Sequence, residues 1–231
     1  MGYKRLLVKI EIIFENSDFV VVNKPERVNF HSEEEAGLVV LVTRQLNLEQ
    51  LYSVHRLDKM TSGLILLAKS SQVASELTSL FENRLIEKYY LALSMRKSKK
   101  KQGWVKGDMT SARRGSYKLL KSMENPSVTQ FKSVALRTHE RLFLVKPHSG
   151  KTHQIRVALK SLGSPIAGDE RYANRDEAVL EDRGYLHAYA LRFTLKGEAF
   201  SFVLAPKSGE RFLSEAMLEQ LKLWKSPWEQ F

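Results

Sequence analysis

The chain has 231 residues, 43% of them hydrophobic, and carries 37 Lys and Arg against 26 Asp and Glu, a formal charge of +11. That excess points to a polyanionic partner, most simply nucleic acid. There is no cysteine, which excludes disulfides, iron–sulfur clusters and thiolate zinc sites, and no apolar run approaches the ~20 residues that span a bilayer.

The N-terminus, MGYKRLLVKIEIIFENSD, has acids too early for a signal-peptide core. Leu6 stands where an N-myristoylation motif needs Ser or Thr. A basic membrane-surface protein would want a basic amphipathic helix, and none is evident. A soluble, cytoplasmic protein is expected.

In chain order, RLLVKIEII and FVVVN read as strands, rich in β-branched residues. EEEAGLVVLVTRQLN reads as a helix with acids in its first turn. The stretch VHRLDKMTSGLILLAK, from Val54 to Lys69, predicts a charged loop followed by a buried strand. SSQVASELTSLFENRL is helical, with Val73, Leu77, Leu80 and Phe81 on one face. KYYLALSM is a further strand.

From Arg96 to Lys121 the chain holds ten Lys or Arg and one acid, Asp108, with Trp104 and Tyr117 among them. This is either a solvated basic loop or a phosphate-gripping arm with aromatic platforms; the interleaved aromatics favour the arm. VTQFKSVALRTHERLFLVKP predicts two strands joined near THER. KTHQIRVALKSLG predicts a helix with Ile155, Ala158, Leu159 and Leu162 on one face and Gly163 as its stop. YLHAYALRFTL and AFSFVLAP bracket KGE as a hairpin, and GERFLSEAMLEQLKLW closes the chain as a helix. No repeat or domain boundary is evident.

SGKT at Ser149 to Thr152 suggests a P-loop, but Val145 stands where that motif needs its first Gly. A basic turn feeding a helix N-terminus is what remains. The histidines show no metal-ligand spacing; each reads as hydrogen-bonding or RNA-facing. Asp58 is the remaining point of interest. An ordinary loop Asp pairs with a neighbour such as Arg56 or caps a turn. A carboxylate that attacks or takes a proton must be ionised, and neighbouring cations favour that form. With no partner acid, a glycosidase pair is disfavoured.

Four motifs in order carry a resemblance. HRLDKMTSGLILLAK resembles the H-R-L-D-x-x-T-S-G signature of the RluA-type pseudouridine synthases. VVVNKPERVNFH, EKYYLALS, SGKTHQIRVALKSLGSPIAGDERY and YLHAYALRF resemble that family's other segments. The resemblance implies an α+β fold: a bent mixed, mostly antiparallel sheet with flanking helices and a central active-site cleft. It implies a single catalytic domain over residues 1–231, with residues 96–121 as an RNA-contacting loop or arm. Some members carry an N-terminal S4 module, for which this chain has no room.

The resemblance also implies roles. Asp58 matches the catalytic aspartate, Tyr90 the tyrosine that packs on the flipped base (Tyr89 being its neighbour), and Arg156 the basic partner of the aspartate. Arg56 matches the arginine that enters the RNA stack as the uridine leaves. His55, Thr61, Lys151, His153, Lys99, Lys100, Lys101, Arg113 and Arg114 are expected to contact RNA. No metal or organic cofactor is expected, nor a membrane or an obligate protein partner; a monomer acting on a structured stem-loop of rRNA or tRNA is. Lys59 and Lys151 replace frequent arginines, Arg27 stands at a glycine of the family pattern, and Ala158 at a histidine. The other reading is an RNA-binding protein that kept the fold and lost catalysis; intact Asp58, Tyr90 and Arg156 weigh against it.

Overall fold

The computed structural model of the chain describes residues 9–30 and 36–231. In chain order its elements are β1 (Glu11–Glu15), β2 (Phe19–Lys24), α1 (Leu38–Gln45), β3 (Tyr52–Ser53), β4 (Ser62–Ala68), α2 (Ser71–Glu82) and β5 (Glu87–Ser94). There follow β6 (Gln102–Gly107), β7 (Met109–Ser111), β8 (Tyr117–Leu119), β9 (Ser127–Arg137), β10 (Glu140–Pro147) and α3 (Gln154–Ser161). The chain then runs through α4 (Arg175–Ala178), β11 (Leu186–Leu195), β12 (Glu198–Val203) and α5 (Glu215–Leu223). Among the described residues no helix is long and apolar enough to cross a membrane.

Ten strands make one sheet, in the order β1-β2-β4-β11-β5-β10-β9-β6, with β12 also on β11 and β3 on β4. All these pairings are antiparallel except β11 with β4, so the fold is α+β with a mixed, mostly antiparallel sheet. β11 changes partners along its length. Its first residues pair with β4 at His187 and Ala188, and from Ala190 onward it pairs with β12. Its register against β5 slips between Ala188 and Ala190. An extra residue there tightens the local twist.

GLILLA behaves as its apolar run predicts. All seven residues of β4 are buried, and alternation sends Leu64 and Leu66 to one core and Ile65 and Leu67 to another. Gly63 sits at φ +107, where a Cβ would lie 2.3 Å from the Ala188 carbonyl oxygen. Only glycine permits the β4–β11 contact. On the other half of the sheet, α3 lays Ile155, Ala158, Leu159 and Leu162 onto a third core with Phe131 and Phe143. Gly163 ends α3 at φ +76.

Several boundaries differ from the sequence reading. The first predicted strand begins among residues outside those described; its described part starts at Glu11. The acids expected in the first turn of α1, Glu33 to Glu35, also fall outside, and the helix starts at Leu38 with no acid in its first turn. The closing helix is shorter, because Gly209 takes φ +96 and a turn occupies the following residues. Residues 96–121 are not one loop: β6 joins the sheet edge, and β7 and β8 form a separate two-stranded ribbon.

Candidate active site

The loop from Val54 to Thr61 leaves β3 and enters β4. Val54 and Leu57 are buried in two different cores and pin it from below. A turn closes when Thr61 N–H donates to the Asp58 carbonyl at 3.0 Å. Lys24, wholly buried, donates through Nζ to the carbonyls of Pro25, Lys59 and Thr61 at 2.9, 3.2 and 2.8 Å. Two of these acceptors follow Asp58 directly in the loop, and the third lies in the turn after β2. Burial pulls the Lys24 pKa down to about 7, against the pull of Glu26 and Asp58. Arg27 N–H adds a bond to the Lys59 carbonyl at 2.9 Å. Arg27 reaches it at φ +65, so the turn that glycine would make freely is kept at a cost of about 1–2 kcal/mol.

Arg156 lies on the first turn of α3 and is 7% exposed. Its NH1 donates to Asp58 Oδ2 at 2.8 Å. Its Nε and NH2 donate to Asp169 Oδ2 and Oδ1, both at 2.8 Å. Asp169 is fully buried and also accepts the Arg171 and Tyr172 N–H groups. The guanidinium is therefore gripped by a bidentate pair behind and presents one N–H forward, to Asp58. Tyr172 lies under it, 4.9 Å from ring centre to guanidinium carbon.

His153, in the left-handed conformation at φ 56, caps α3. Its Nδ1 is 2.8 Å from Tyr172 Oη and its Nε2 is 3.8 Å from Asp58 Oδ2. Tyr172 Oη also accepts the Tyr117 N–H. Burial, then Arg156, lower the His153 pKa.

Asp58 stands where two lobes of one cleft meet. Arg56, Leu57, Asp58, His153 and Arg156 belong to the walls of both. The larger lobe, about 940 Å³, is basic, with Lys59, Arg113, Arg114 and Arg171 in its wall. The smaller, about 540 Å³, has Tyr90, Phe81, Pro147 and Leu186 in its wall, and its size suits a small planar ligand. Tyr90 is half-buried; burial, then Asp58, push its phenol pKa up. Tyr89 faces the other side of the sheet and donates to Glu87 at 2.5 Å. Arg56 is exposed and, among the described residues, pairs with nothing; Arg156, not Arg56, is the partner of Asp58.

The residues expected to contact RNA stand in different surroundings. His55 Nε2 accepts the Leu66 N–H at 2.9 Å and its ring stacks on Phe81 at 4.4 Å. Burial holds its pKa at about 3, so this neutral ring fastens the loop to β4. Thr61 is 2% exposed, and its carbonyl serves Lys24. Lys99, Lys100 and Lys101 line neither lobe; they lie where Lys99 N–H bonds the Leu162 carbonyl, at the far end of α3. His55, Thr61, Lys151 and His153 line the smaller lobe, and Arg113, Arg114 and His153 the larger. Ala158 points into the core. The residues that sequence reasoning passed over are Lys24, Asp169 and Tyr172. All three stand inside the motif segments, NKP and GDERY, as residues quoted without a role.

Residues 18–161 match the family model described as RNA pseudouridylate synthase. The chain is 45% identical over 218 residues to an "Uncharacterized RNA pseudouridine synthase" of Haemophilus influenzae, covering 94% of this chain and 96% of that one. It is 34% identical over 193 residues to "Ribosomal large subunit pseudouridine synthase C" of Vibrio vulnificus, covering 79% of this chain and 61% of that one. It thus spans about three fifths of the length of such synthases. In fold it resembles Human RNA Pseudouridylate Synthase Domain Containing 1, with TM-score 0.77, 22% identity and coverage of 95% and 96%.

The class is therefore that of isomerases that modify RNA. The chain belongs to the RNA pseudouridine synthase family, of the RluA type.

Proposed function

We propose that this chain isomerises specific uridines in structured ribosomal or transfer RNA, with Asp58 as the catalytic carboxylate acting on a flipped-out nucleotide. The observation that carries the reading is the Arg156–Asp58 bond of 2.8 Å at the junction of the two lobes. A target base inside a stem is out of reach until it leaves the stack. The smaller lobe offers it Tyr90 as an aromatic face, and the basic larger lobe suits the sugar–phosphate chain. Arg56, exposed at the rim and unpaired among the described residues, is positioned to fill the gap in the stack.

The reaction is an isomerisation, so nothing is consumed. The bond from N1 to the sugar carbon breaks, the uracil turns, and C5 bonds to that carbon. The C5 proton leaves to solvent and N1 takes one up. Asp58 either attacks the sugar carbon or removes the C2′ proton; both need its oxygen beside the sugar, and Arg156 orients it there. This chemistry calls for no metal, organic cofactor or protein partner, and the chain works as a cytoplasmic monomer. Among RNAs, that of the large ribosomal subunit is the first to test, because the Vibrio vulnificus relative is named for that subunit.

The test is tritium release from RNA labelled at uridine C5, prepared from cells lacking this chain. Wild type should release tritium. Asp58→Asn should release none while keeping its fold and RNA affinity, since the amide can neither attack nor take the proton. Activity within tenfold of wild type in that variant sinks the Asp58 assignment. Binding without any release by wild type favours the RNA-binding alternative.

A further inference from the structure

Trp104 is 46% exposed. It lies on β6, the outermost strand beside β9, and it lines neither lobe of the cleft. Its indole sits 4.9 Å from the His148 ring at an interplanar angle of 34°. Lys106 Nζ lies 5.0 Å from the indole centroid. Gln130, the cross-strand neighbour of Trp104, fixes the imidazole through a 3.1 Å contact with His148 Nε2. Val128, the neighbour of Lys106, accepts the His148 backbone N–H at 2.8 Å. One flat aromatic surface is thus backed, braced and flanked by a cation.

The surroundings are basic. Lys146, Lys88 and Arg84 bear electrostatically on His148, and the acid Glu87 acts against them. That acid is occupied: Lys146 and Tyr89 donate to one oxygen at 2.6 and 2.5 Å, and Arg192 to the other at 2.5 and 2.9 Å. The patch also adjoins the cleft. Pro147, Ser149, Gly150 and Lys151 line its smaller lobe, and His148 stands between them in sequence.

We propose that Trp104, backed by His148 and flanked by Lys106, is a stacking platform for an unpaired base of the RNA strand beside the target uridine. This rests on the RNA reading above and adds a site outside the cleft. A nucleobase is the fitting occupant because every base has a π face, while the phosphates on either side of it meet Lys106 and the lysines beyond. An apolar protein partner would need apolar neighbours, and Gln130, Lys132 and Lys146 occupy that role here.

Tryptophan fluorescence reads this directly, since Trp224 is 2% exposed and Trp228 is half-covered beneath Arg192. The full-length protein is titrated with a single-stranded uridine dodecamer and with a blunt RNA duplex. The dodecamer should quench wild-type emission, the duplex much less, and Trp104→Phe should lose the quench. Trp104→Ala should bind the dodecamer roughly tenfold more weakly, the scale of one base–aromatic stack, with its salt slope unchanged because stacking releases no counterions. In the tritium assay it should raise KM and keep kcat. Full quenching in Trp104→Phe, or a loss of affinity under threefold in Trp104→Ala, overturns the platform. Quenching without any tritium release by wild type would overturn the synthase reading and leave the platform standing.

Discussion

Asp58 and Asp169 hold one guanidinium between them. Arg156 gives two N–H groups to Asp169 and one to Asp58, all at 2.8 Å. Asp169 is fully enclosed, whereas the Asp58 side chain keeps 23% of its surface. Asp169 is therefore the support and Asp58 the exposed end.

Asp169→Asn should disturb both stability and turnover. Removing the Asp169 charge leaves the buried guanidinium with Asp58 as its remaining carboxylate partner, at a cost of up to about 3–5 kcal/mol. Arg156 would also lose the fork that aims it. A lowered melting temperature together with a kcat reduced tenfold or more at unchanged KM is expected. Wild-type kcat in a folded variant would show that Arg156 aims itself.

Acid should destabilise the fold through two histidines. His55 Nε2 accepts a backbone N–H, and His187 is 1% exposed between Ser62 and the Leu204 carbonyl, at 2.7 and 2.8 Å. Burial depresses both pKa values to about 3, against ~6.5 in an unfolded chain. Below pH ~6.5 the unfolded chain takes up protons that the fold refuses, so stability falls with pH from there toward about 3. Each ring contributes up to ~1.4 kcal/mol per pH unit. Urea unfolding between pH 6.5 and 4 should show this slope, and His55→Gln should reduce it by one proton. An undiminished slope would mean that His55 protonates in place.

Within the basic segment, Arg113 and Arg114 should carry more of the salt dependence than Lys99 to Lys101. Arg113 and Arg114 stand in the wall of the larger lobe, and Lys99, Lys100 and Lys101 do not. Replacing the two arginines with Ala should flatten log affinity against log salt by roughly 1–2 units, the effect of about two lost phosphate contacts. Replacing the three lysines should leave the slope nearly intact. The reverse pattern would move the phosphate path to the far end of α3.

Arg56 should matter in proportion to the cost of flipping. Arg56→Ala should slow single turnover more on a stem-loop than on an unstructured oligonucleotide with the same uridine, since unstacking costs least in a single strand. Arg56→Lys should recover only part, because an ammonium neither stacks nor forks to phosphate. Equal losses on both substrates would refute the stack-filling role.

Local pattern alone determined much of this protein. The unbroken GLILLA run demanded a strand buried on both faces, and β4 is one. The apolar spacing in VALKSL and its glycine stop determined α3, and the ordered motifs marked Asp58, Tyr90 and Arg156. These signals are short-range, written in side-chain periodicity and backbone restriction.

What the tertiary structure decided is which residues meet. Asp58 and Arg156 are 98 positions apart, and only the docking of α3 beside the β3–β4 loop brings them together. Whether Tyr89 or Tyr90 faces the cleft depends on strand parity, which a one-residue slip would reverse. The pairing of Tyr90 with Val145 and Ala188 sets that parity. His55 and Thr61 share the signature with Asp58 and line the smaller lobe beside it, yet packing also gives the His55 ring to the Leu66 N–H and the Thr61 carbonyl to Lys24. Lys99 and Arg113 share one basic run, yet β6 carries the chain along the sheet edge and separates them. Charge and motif name the candidates; long-range packing assigns each its neighbour, because the contacts that define a site are not local in sequence.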